Sequence, residues 1–344
     1  MYEDTAMTMT SDVTSATQIP LIDLAPLANG LEGAQELAAD LRHALEEVGF
    51  LMIVNHGVSQ DLIDQTFAQA KRFHDQDMAA KQAVMMNEHN NGYMAMARYN
   101  VRTSRVSDDA LPDMNESFFT KRERTADDPL VLAGRRFAGP NEWPSDLPGF
   151  RDALLEYTEA VDALGRRLLP AVALSLDLPA DTFDAAFAES QFSFRLSHYP
   201  GVDRAVDQFG FSAHTDANFM TFLAQSGVPG LQIKVESGEN EGKWCDVPYV
   251  PGSFVVNTGD MLHRWTNGRF KSTPHRVIPP KGQARYAIPY FMGPHIDTVI
   301  SCLPGCSDKD HPVQYAPITY DDYISWWYDA NYNTADQADL RVES

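Results

Sequence analysis

The chain has 344 residues, 44% of them hydrophobic, so it is long enough to bury a sizeable core in one large domain or two. Its 27 basic and 48 acidic residues give a formal net charge of −21 at pH 7, which argues against nucleic acid or an anionic membrane as a partner. The acidic charge makes a cationic substrate conceivable, but net charge says little about a buried pocket.

The two ends of the chain and its cysteines indicate the compartment. The opening residues carry no Lys or Arg and no apolar core, which predicts a disordered tail at 1–17 rather than a targeting peptide. The end of the chain, 331–344, is predicted to fray. An odd number of cysteines, three, favours reduced thiols, and no run is long enough to span a bilayer. We therefore expect a cytoplasmic protein, with a monomer favoured.

The first half of the chain predicts helices that cover short strands. A strand is expected at 19–24, and the amphipathic helix that follows has leucines at helical spacing and stops at Gly49. The apolar run at 50–54 indicates a buried strand. A second helix is predicted to begin near Ser59, which is a good N-cap residue.

The middle of the chain is expected to be mostly irregular. The Met-rich and Asn-rich segment 84–102 has weak periodicity and predicts a loop with irregular strand. Residues 123–147 are rich in Arg, Asp, Gly and Pro and predict a long connecting loop. A long helical pattern then covers 148–178, and Pro170 should kink or break it.

From Phe192 the chain predicts short strands at the spacing of an antiparallel barrel. Asn267-Gly268 is a tight-hairpin signal between strands. Near the end, paired tryptophans and tyrosines predict a C-terminal helix whose aromatic side chains pack. The strands are predicted near 192–199, 211–223, 230–235, 253–257, 274–278 and 284–291.

Three residues on these strands form a candidate metal site. His214 and Asp216 lie two positions apart on one predicted strand, so they share a face, and His275 lies on another. Two histidines and one carboxylate occupy one face of an octahedral ion and leave positions open, as in non-haem Fe(II) oxygenases. Zinc hydrolases also use two histidines and a carboxylate, so these ligands alone do not identify the metal.

Arg285 begins the alternating run ARYAIPYF, in which Ala287 and Phe291 share its face. An arginine inside a barrel is costly unless it is paired, and its planar group suits a carboxylate brought in by a ligand. A dicarboxylate co-substrate that chelates iron fits this position.

Six blocks in this order resemble the isopenicillin N synthase-like subgroup of the 2-oxoglutarate and Fe(II)-dependent oxygenases. They are IPLIDL, GFLMIVNHGV, RLSHYP, the AHTD strand, NTGDMLHRWTNGRFKSTPHRV and ARYAIPYF. The family pattern is His-x-Asp, a distant His and then Arg-x-Ser, and its last element is here Arg285-Tyr286-Ala287. Ala287 lacks the serine hydroxyl, so one hydrogen bond worth about 0.5 to 1.5 kcal/mol is missing or supplied otherwise.

The resemblance implies a mixed α+β fold with a double-stranded β-helix, or jelly-roll, core flanked by helices. Residues 18–178 would form an N-terminal helical and mixed region of this same fold. The oxygenase core with its C-terminal helix would occupy 179–330.

The resemblance also implies the cofactors and their ligands. Fe(II) is the expected metal, with 2-oxoglutarate as co-substrate and O2 as oxidant. Arg285 is expected to bind the distal carboxylate of 2-oxoglutarate, helped by Tyr199, with Ser197 and Ala287 beside it. His198 points to the other face of its strand and is left out. The expected Fe(II) ligands are His214, Asp216 and His275.

The implied reaction is oxidation of a small molecule, most often hydroxylation, with release of succinate and CO2. Desaturation or cyclisation would need only a different substrate pose. Expected substrate contacts are Arg98, Tyr99 and Phe291. An Fe(II) oxidase that uses no 2-oxoglutarate, as in isopenicillin N synthase itself, stays an alternative, as does a non-catalytic binding or sensor barrel. A zinc hydrolase is disfavoured because no general base is placed beside the triad.

Overall fold

The computed structural model describes residues 19–96, 111–202, 208–237 and 240–332. The tail predicted at 1–17 lies outside the described residues, and so does the tail predicted at 331–344 except for its first two residues. Two expected substrate contacts, Arg98 and Tyr99, also lie outside them.

The first half of the chain contains most of the helices, as predicted. Its second helix begins after Ser59, whose hydroxyl accepts a hydrogen bond from the Leu62 N–H at 3.1 Å, so the predicted N-cap is confirmed. Its strands are β1 (Leu21–Asp23), β2 (Phe50–Val54), β3 (Gly92–Met94) and β4 (Glu116–Lys121). Its helices are α1 (Leu31–Glu47), α2 (Gln60–His74), α3 (Met78–Gln82), α4 (Pro129–Leu132), α5 (Phe150–Ser175) and α6 (Asp184–Phe187), with 3-10 helices at Ala25–Asn29 and Arg136–Ala138.

The longest of these helices, α5, continues through Pro170. A proline inside a helix removes a backbone hydrogen bond and costs about 3 kcal/mol. Burial of the residues before and after the proline offsets this cost, because Leu168 and Val172 are fully buried and α5 packs against α1 and α2. The predicted break at this proline is therefore wrong.

The second half contains most of the strands. They are followed by the predicted C-terminal helix, α8. The strands are β5 (Gln191–Tyr199), β6 (Phe211–His214), β7 (Met220–Gln225), β8 (Leu231–Lys234), β9 (Trp244–Asp246), β10 (Phe254–Thr258), β11 (His275–Val277), β12 (Arg285–Gly293), β13 (Val299–Ile300) and β14 (Ile318–Thr319), and the helices are α7 (Asp260–Trp265) and α8 (Tyr320–Tyr332).

Two details of this half differ from the sequence prediction. The single strand expected at 211–223 is divided into β6 and β7, because the chain turns between them and the two strands join different sheets. Asn267 and Gly268 have positive φ values of 54° and 86°, and the Gly268 N–H donates to the His263 carbonyl at 2.8 Å. They therefore end α7 instead of joining two strands.

The strands form two sheets with a cavity between them. The larger sheet has the order β1-β2-β10-β7-β12-β5-β4-β3, and a four-stranded sheet has the order β6-β11-β8-β9. One hydrophobic cluster joins the helices to the outer face of the larger sheet, and a second cluster lies between the sheets. This helix-flanked jelly roll confirms the predicted mixed α+β fold.

Among the helices of the described residues, none is both long enough and apolar enough to cross a bilayer.

Candidate active site

The structure brings His214, Asp216 and His275 together where β6 ends and β11 begins. His214 and His275 are partners in the antiparallel register of these strands. Their Nε2 atoms lie 3.7 and 3.6 Å from Oδ1 of Asp216, and the three candidate ligand atoms lie within 4.8 Å of one another. The sequence had predicted that Asp216 lies on the same strand as His214. It lies instead in the turn after β6.

Hydrogen bonds fix the tautomer of both histidines. The Nδ1 atoms of His214 and His275 lie 2.7 and 3.2 Å from the backbone carbonyls of Ser212 and Thr273. A carbonyl can only accept, so each Nδ1 carries a proton, and in the neutral form of the ring Nε2 then presents a lone pair towards Asp216. Burial and the neighbouring His275 lower the pKa of His214 to about 3, so this ring is neutral at physiological pH.

The carboxylate of Asp216 is held by two other buried side chains. Its Oδ2 accepts hydrogen bonds from Thr221 at 2.5 Å and from Asn257 at 2.7 Å, which leaves Oδ1 facing the histidines. Burial alone would raise the pKa of Asp216, but the two imidazoles and these hydrogen bonds lower it. Two neutral imidazole nitrogens and one oriented carboxylate oxygen fit a divalent metal such as Fe(II).

Arg285 lies fully buried at the start of β12 and has only neutral neighbours among the described residues. Its Nε donates to the Val228 carbonyl at 3.2 Å, and its Nη2 donates to Oε1 of Gln225 at 3.3 Å. Within the described chain its Nη1 has no hydrogen-bond partner. Burial lowers the pKa of the guanidinium, which nearby Tyr199 partly offsets. A carboxylate of a bound molecule would supply the missing partner and the missing charge.

Three other predicted residues surround this arginine. Tyr199 is the register partner of Arg285, and Ser197 is the partner of Ala287. The Tyr199 ring lies 5.1 Å from the guanidinium carbon of Arg285. The buried Ser197 hydroxyl finds no hydrogen-bond partner among the described residues. A serine hydroxyl therefore lies directly across from the position where Ala287 lacks one.

One cavity contains both groups. It encloses about 1060 Å³, including the part open to solvent, and is lined by the triad, Arg285, Tyr199 and the alternate residues Ala287 and Phe291. Phe291 lies on the shared face that the sequence predicted for β12.

Comparisons with known proteins identify the family. Residues 19–146 match the family described as non-haem dioxygenase in morphine synthesis N-terminal, and residues 190–294 match the 2OG-Fe(II) oxygenase superfamily. The 2-oxoglutarate-Fe(II) type oxidoreductase hxnY of Emericella nidulans is 34% identical over 330 residues, 93% of this chain and 92% of the relative. The chain belongs to the 2OG-Fe(II) oxygenase superfamily.

Other similar proteins match this oxygenase over most of their length. Kihadalactone A synthase LFS of Citrus sinensis is 34% identical and covers 90% of this chain and 92% of its own. The crystal structure of a full-length Neurospora crassa protein with alpha-KG and thymine is 28% identical, with a TM-score of 0.78 over 93% of this chain and 98% of that one.

Membership of the superfamily makes the protein a dioxygenase that uses Fe(II), 2-oxoglutarate and O2, as the sequence predicted. Nothing in the comparisons favours the alternatives of an oxidase without 2-oxoglutarate, a binding barrel or a zinc hydrolase.

The oxygenase also contains a second group of possible ligands, which the sequence did not predict. Behind the larger sheet, atoms of His74, Glu116 and His198 lie within 4.8 Å of one another. Glu116 accepts hydrogen bonds from His198 at 2.8 Å, from Tyr93 at 2.5 Å and from Lys81 at 2.9 Å. Burial alone would raise the pKa of Glu116, but the hydrogen bond from His198 and the nearby His74 lower it. Because Lys81 already supplies the positive charge, this group is a buried polar network.

The sequence also did not predict the residues that line the cavity wall away from the triad. It includes Phe119 and Lys121 of β4, Arg195 of β5, and two aromatic residues of α8, Trp327 and Tyr328. The segment ESFFTK at 116–121 does not alternate polar and apolar residues, so its pattern gives no indication of what β4 faces.

Proposed function

We propose that this oxygenase hydroxylates a small organic molecule in the cavity between its sheets. The observation that carries the proposal is the position of Arg285, a buried cation with an unused donor that opens into the same cavity as the triad. In this proposal Arg285, Tyr199 and Ser197 bind the distal carboxylate of 2-oxoglutarate, and Fe(II) is bound by His214, Asp216 and His275.

The charges of these residues support the assignment. Fe(II) carries two positive charges and the ionised Asp216 removes one of them, while both histidines are taken as neutral. Arg285 adds one positive charge at the other end of the co-substrate. The dianion of 2-oxoglutarate therefore makes the assembled site neutral, which a buried site requires.

The protein's part in the reaction is to bind, orient and exclude water. When bound, Fe(II), 2-oxoglutarate and O2 supply the oxidising power, and the co-substrate is cleaved to succinate and CO2. Thr221 and Asn257 hold the Asp216 carboxylate in one orientation, and this fixes the geometry of the ligand set. Leu223 and Phe211 line the cavity near the triad and keep water from a substrate C–H bond.

Ser197 supplies the hydroxyl that Ala287 lacks in this proposal. Its support is the register that places the two residues opposite each other, together with the buried hydroxyl described above. Ser197 lies two residues before Tyr199 on the same face of β5, so both can reach one carboxylate.

A small molecule is the proposed substrate because the related Neurospora crassa structure holds thymine and another similar structure, JOX2, holds 2OG, Fe and JA. Phe291, which lines the cavity beside Thr221 in register, is proposed as a substrate contact. Arg98 and Tyr99 remain proposals from the sequence alone.

The organisation and location of the enzyme are proposed as well. We place residues 18–178 and 179–330 in one fold, because the larger sheet takes β1 to β4 from the first part and its other four strands from the second. We place the enzyme in the cytoplasm, which its three free cysteines support.

Turnover under 18O2 tests this function. The enzyme is incubated with Fe(II), 2-oxoglutarate and a metabolite extract, and succinate and products heavier by one labelled oxygen are measured. Succinate formed in step with a labelled product is the expected result. Oxidised product without consumption of 2-oxoglutarate would contradict the proposed co-substrate role.

A further inference from the structure

Lys121, the last residue of β4, places a cation in the cavity away from the proposed metal site. It is the register partner of Ser193, which is in turn the partner of Phe291. Phe291 is the partner of Thr221, which donates to Asp216. The row from Thr221 to Lys121 therefore spans three strand spacings of about 4.8 Å, or at most about 14 Å. This is the length of a small molecule.

The Lys121 ammonium is buried, and its hydrogen-bond partners are neutral. Its Nζ donates to the Asn90 carbonyl at 2.6 Å and to Oδ1 of Asn91 at 3.0 Å, which uses two of its three N–H donors. It lies 5.8 and 5.7 Å from the ring centres of Phe137 and Tyr328. No carboxylate of the described residues forms an ion pair with it, and the nearby charged side chain of Arg136 is another cation. A buried ammonium without a counter-ion is unfavourable, and an anionic ligand would relieve this cost.

The charge of the whole lining is also positive. Among the described residues that line the cavity, Lys121, Arg195 and Arg285 are cationic and Asp216 is anionic, so with neutral histidines the balance is two positive charges, 3 − 1. Bound Fe(II) and the 2-oxoglutarate dianion cancel each other. The excess persists in the loaded enzyme, although the whole chain carries a net charge of −21. The cavity therefore disfavours a cationic substrate.

Lys121 is better placed than Arg195 to meet an anion. Arg195 donates to Oγ of Ser117 at 2.8 Å and to Oδ1 of Asn115 at 2.5 Å, and it lies over the ring of Phe119. These contacts hold the guanidinium against the wall. Lys121 retains a donor and lies at the end of the row that begins at the triad.

We propose that Lys121 binds an anionic group of the substrate, and that the substrates of this oxygenase are small apolar carboxylates. The inference rests on the proposed function, since it takes the cavity as the substrate site. The carboxylate meets Lys121, and the apolar body lies along Phe119, Phe291 and Tyr328, with a C–H bond towards the triad. The aromatic lining favours a ring in that body.

A matched pair of ligands tests the charge preference. The probes are 3-phenylpropanoate and 3-phenylpropanamide, which share a ring and chain and differ in charge. Each is titrated by calorimetry into anaerobic holoenzyme with Fe(II) and 2-oxoglutarate at pH 6.5. The acid should bind at least about tenfold more tightly than the amide, as expected for a desolvated charge pair. Equal affinities, or no binding of either probe, would overturn the inference.

Variants assign the preference to Lys121. Lys121→Met should abolish the preference for the acid, and Lys121→Arg should keep it. Lys71→Met is the control, because Lys71 is an exposed lysine paired with Asp75, and it should leave the preference unchanged. A preference that survives Lys121→Met in a folded protein would contradict the assignment.

The pH dependence gives a second readout that needs no loss of the side chain. Burial and the nearby Arg136 lower the pKa of Lys121 to about 7. The preference should therefore fall between pH 6.5 and 8.5 in the wild type and stay constant in Lys121→Arg, whose charge persists. Equal pH profiles in the two proteins would overturn the inference even if Lys121→Met does not fold.

Binding of 2-oxoglutarate separates the two proposals. If the wild type binds no 2-oxoglutarate in the same calorimeter, the proposed function fails. If it binds 2-oxoglutarate and shows no preference for the acid, only the Lys121 assignment fails.

Discussion

Arg285→Gln is the variant that most sharply examines the co-substrate site, because it removes a buried charge and leaves the triad untouched. In the protein alone, the guanidinium donates to the neutral oxygens of Val228 and Gln225 and lies beside the ring of Tyr199. Its loss should therefore cost little stability. In the complex, the variant leaves a buried carboxylate without its ion-pair partner, which costs about 3 to 5 kcal/mol. The affinity for 2-oxoglutarate should then fall by about 100-fold to 5,000-fold.

The assay combines calorimetry with thermal unfolding. The dissociation constant of 2-oxoglutarate is measured anaerobically with Fe(II), and unfolding is followed with and without the co-substrate. At 100 times its dissociation constant, 2-oxoglutarate stabilises the wild type by about 2.7 kcal/mol, and the same concentration should stabilise Arg285→Gln far less. Arg276→Gln is the matched control, because Arg276 stacks on Trp244 at 4.0 Å and does not line the cavity. Wild-type affinity in a folded Arg285→Gln variant would refute the assignment.

Four further predictions concern neighbouring contacts. Alanine at each of the three proposed metal ligands should abolish iron binding and turnover while the circular dichroism spectrum stays unchanged. A variant that keeps iron binding and turnover would show that the substituted residue is not a ligand. Asn257→Ala removes a hydrogen bond to the carboxylate of Asp216, a proposed metal ligand, and should weaken Fe(II) affinity by about 10-fold to 100-fold in a metal titration. An unchanged affinity would show that the orientation of this carboxylate is unimportant. Ser197→Ala should raise the dissociation constant of 2-oxoglutarate by up to about tenfold, and the double variant with Ala287→Ser should return to the wild-type value. If neither substitution changes the dissociation constant, neither position belongs to the co-substrate site. Glu116→Gln should lower the free energy of unfolding by about 3 to 5 kcal/mol in urea, because Lys81 loses its buried partner, and should leave 2-oxoglutarate affinity unchanged.

Much of the site could be predicted because its chemistry depends on short local patterns. The alternation that carries Arg285 and Phe291 to one face requires only strand geometry, and the short spacing of His214 and Asp216 keeps these two residues close although Asp216 lies past the end of β6. His275 was added because two histidines and a carboxylate make a metal-binding set, but nothing in the sequence alone shows that β6 and β11 are register partners.

The errors came from local signals that tertiary structure overrides. The run at 211–223 is apolar enough for one strand, yet the chain turns after His214 so that two sheets can form. Asn267-Gly268 has the positive φ values that a hairpin turn would need, but it uses them to end a helix. Pro170 is tolerated because neighbours before and after it in α5, Leu168 and Val172, are fully buried.

Other features could not have been found from the sequence because they depend on contacts between distant segments. Lys121 is an ordinary polar residue at the end of a short strand, and only the fold shows that it is buried and faces the cavity. Glu116 meets His74 and His198 from three separate elements, and no spacing in the chain indicates that meeting.

Anaerobic titration of the purified protein with Fe(II) and then 2-oxoglutarate tests the central claim most directly. If the His214, Asp216 and His275 cluster holds iron and Arg285 anchors the co-substrate beside it, addition of 2-oxoglutarate should produce a visible metal-to-ligand charge-transfer band that saturates at one equivalent. The band should be absent in His275→Ala at any concentration of 2-oxoglutarate and should require far more 2-oxoglutarate in Arg285→Gln. A wild-type protein that binds Fe(II) but develops no such band, or a band unaffected by both substitutions, would contradict the account.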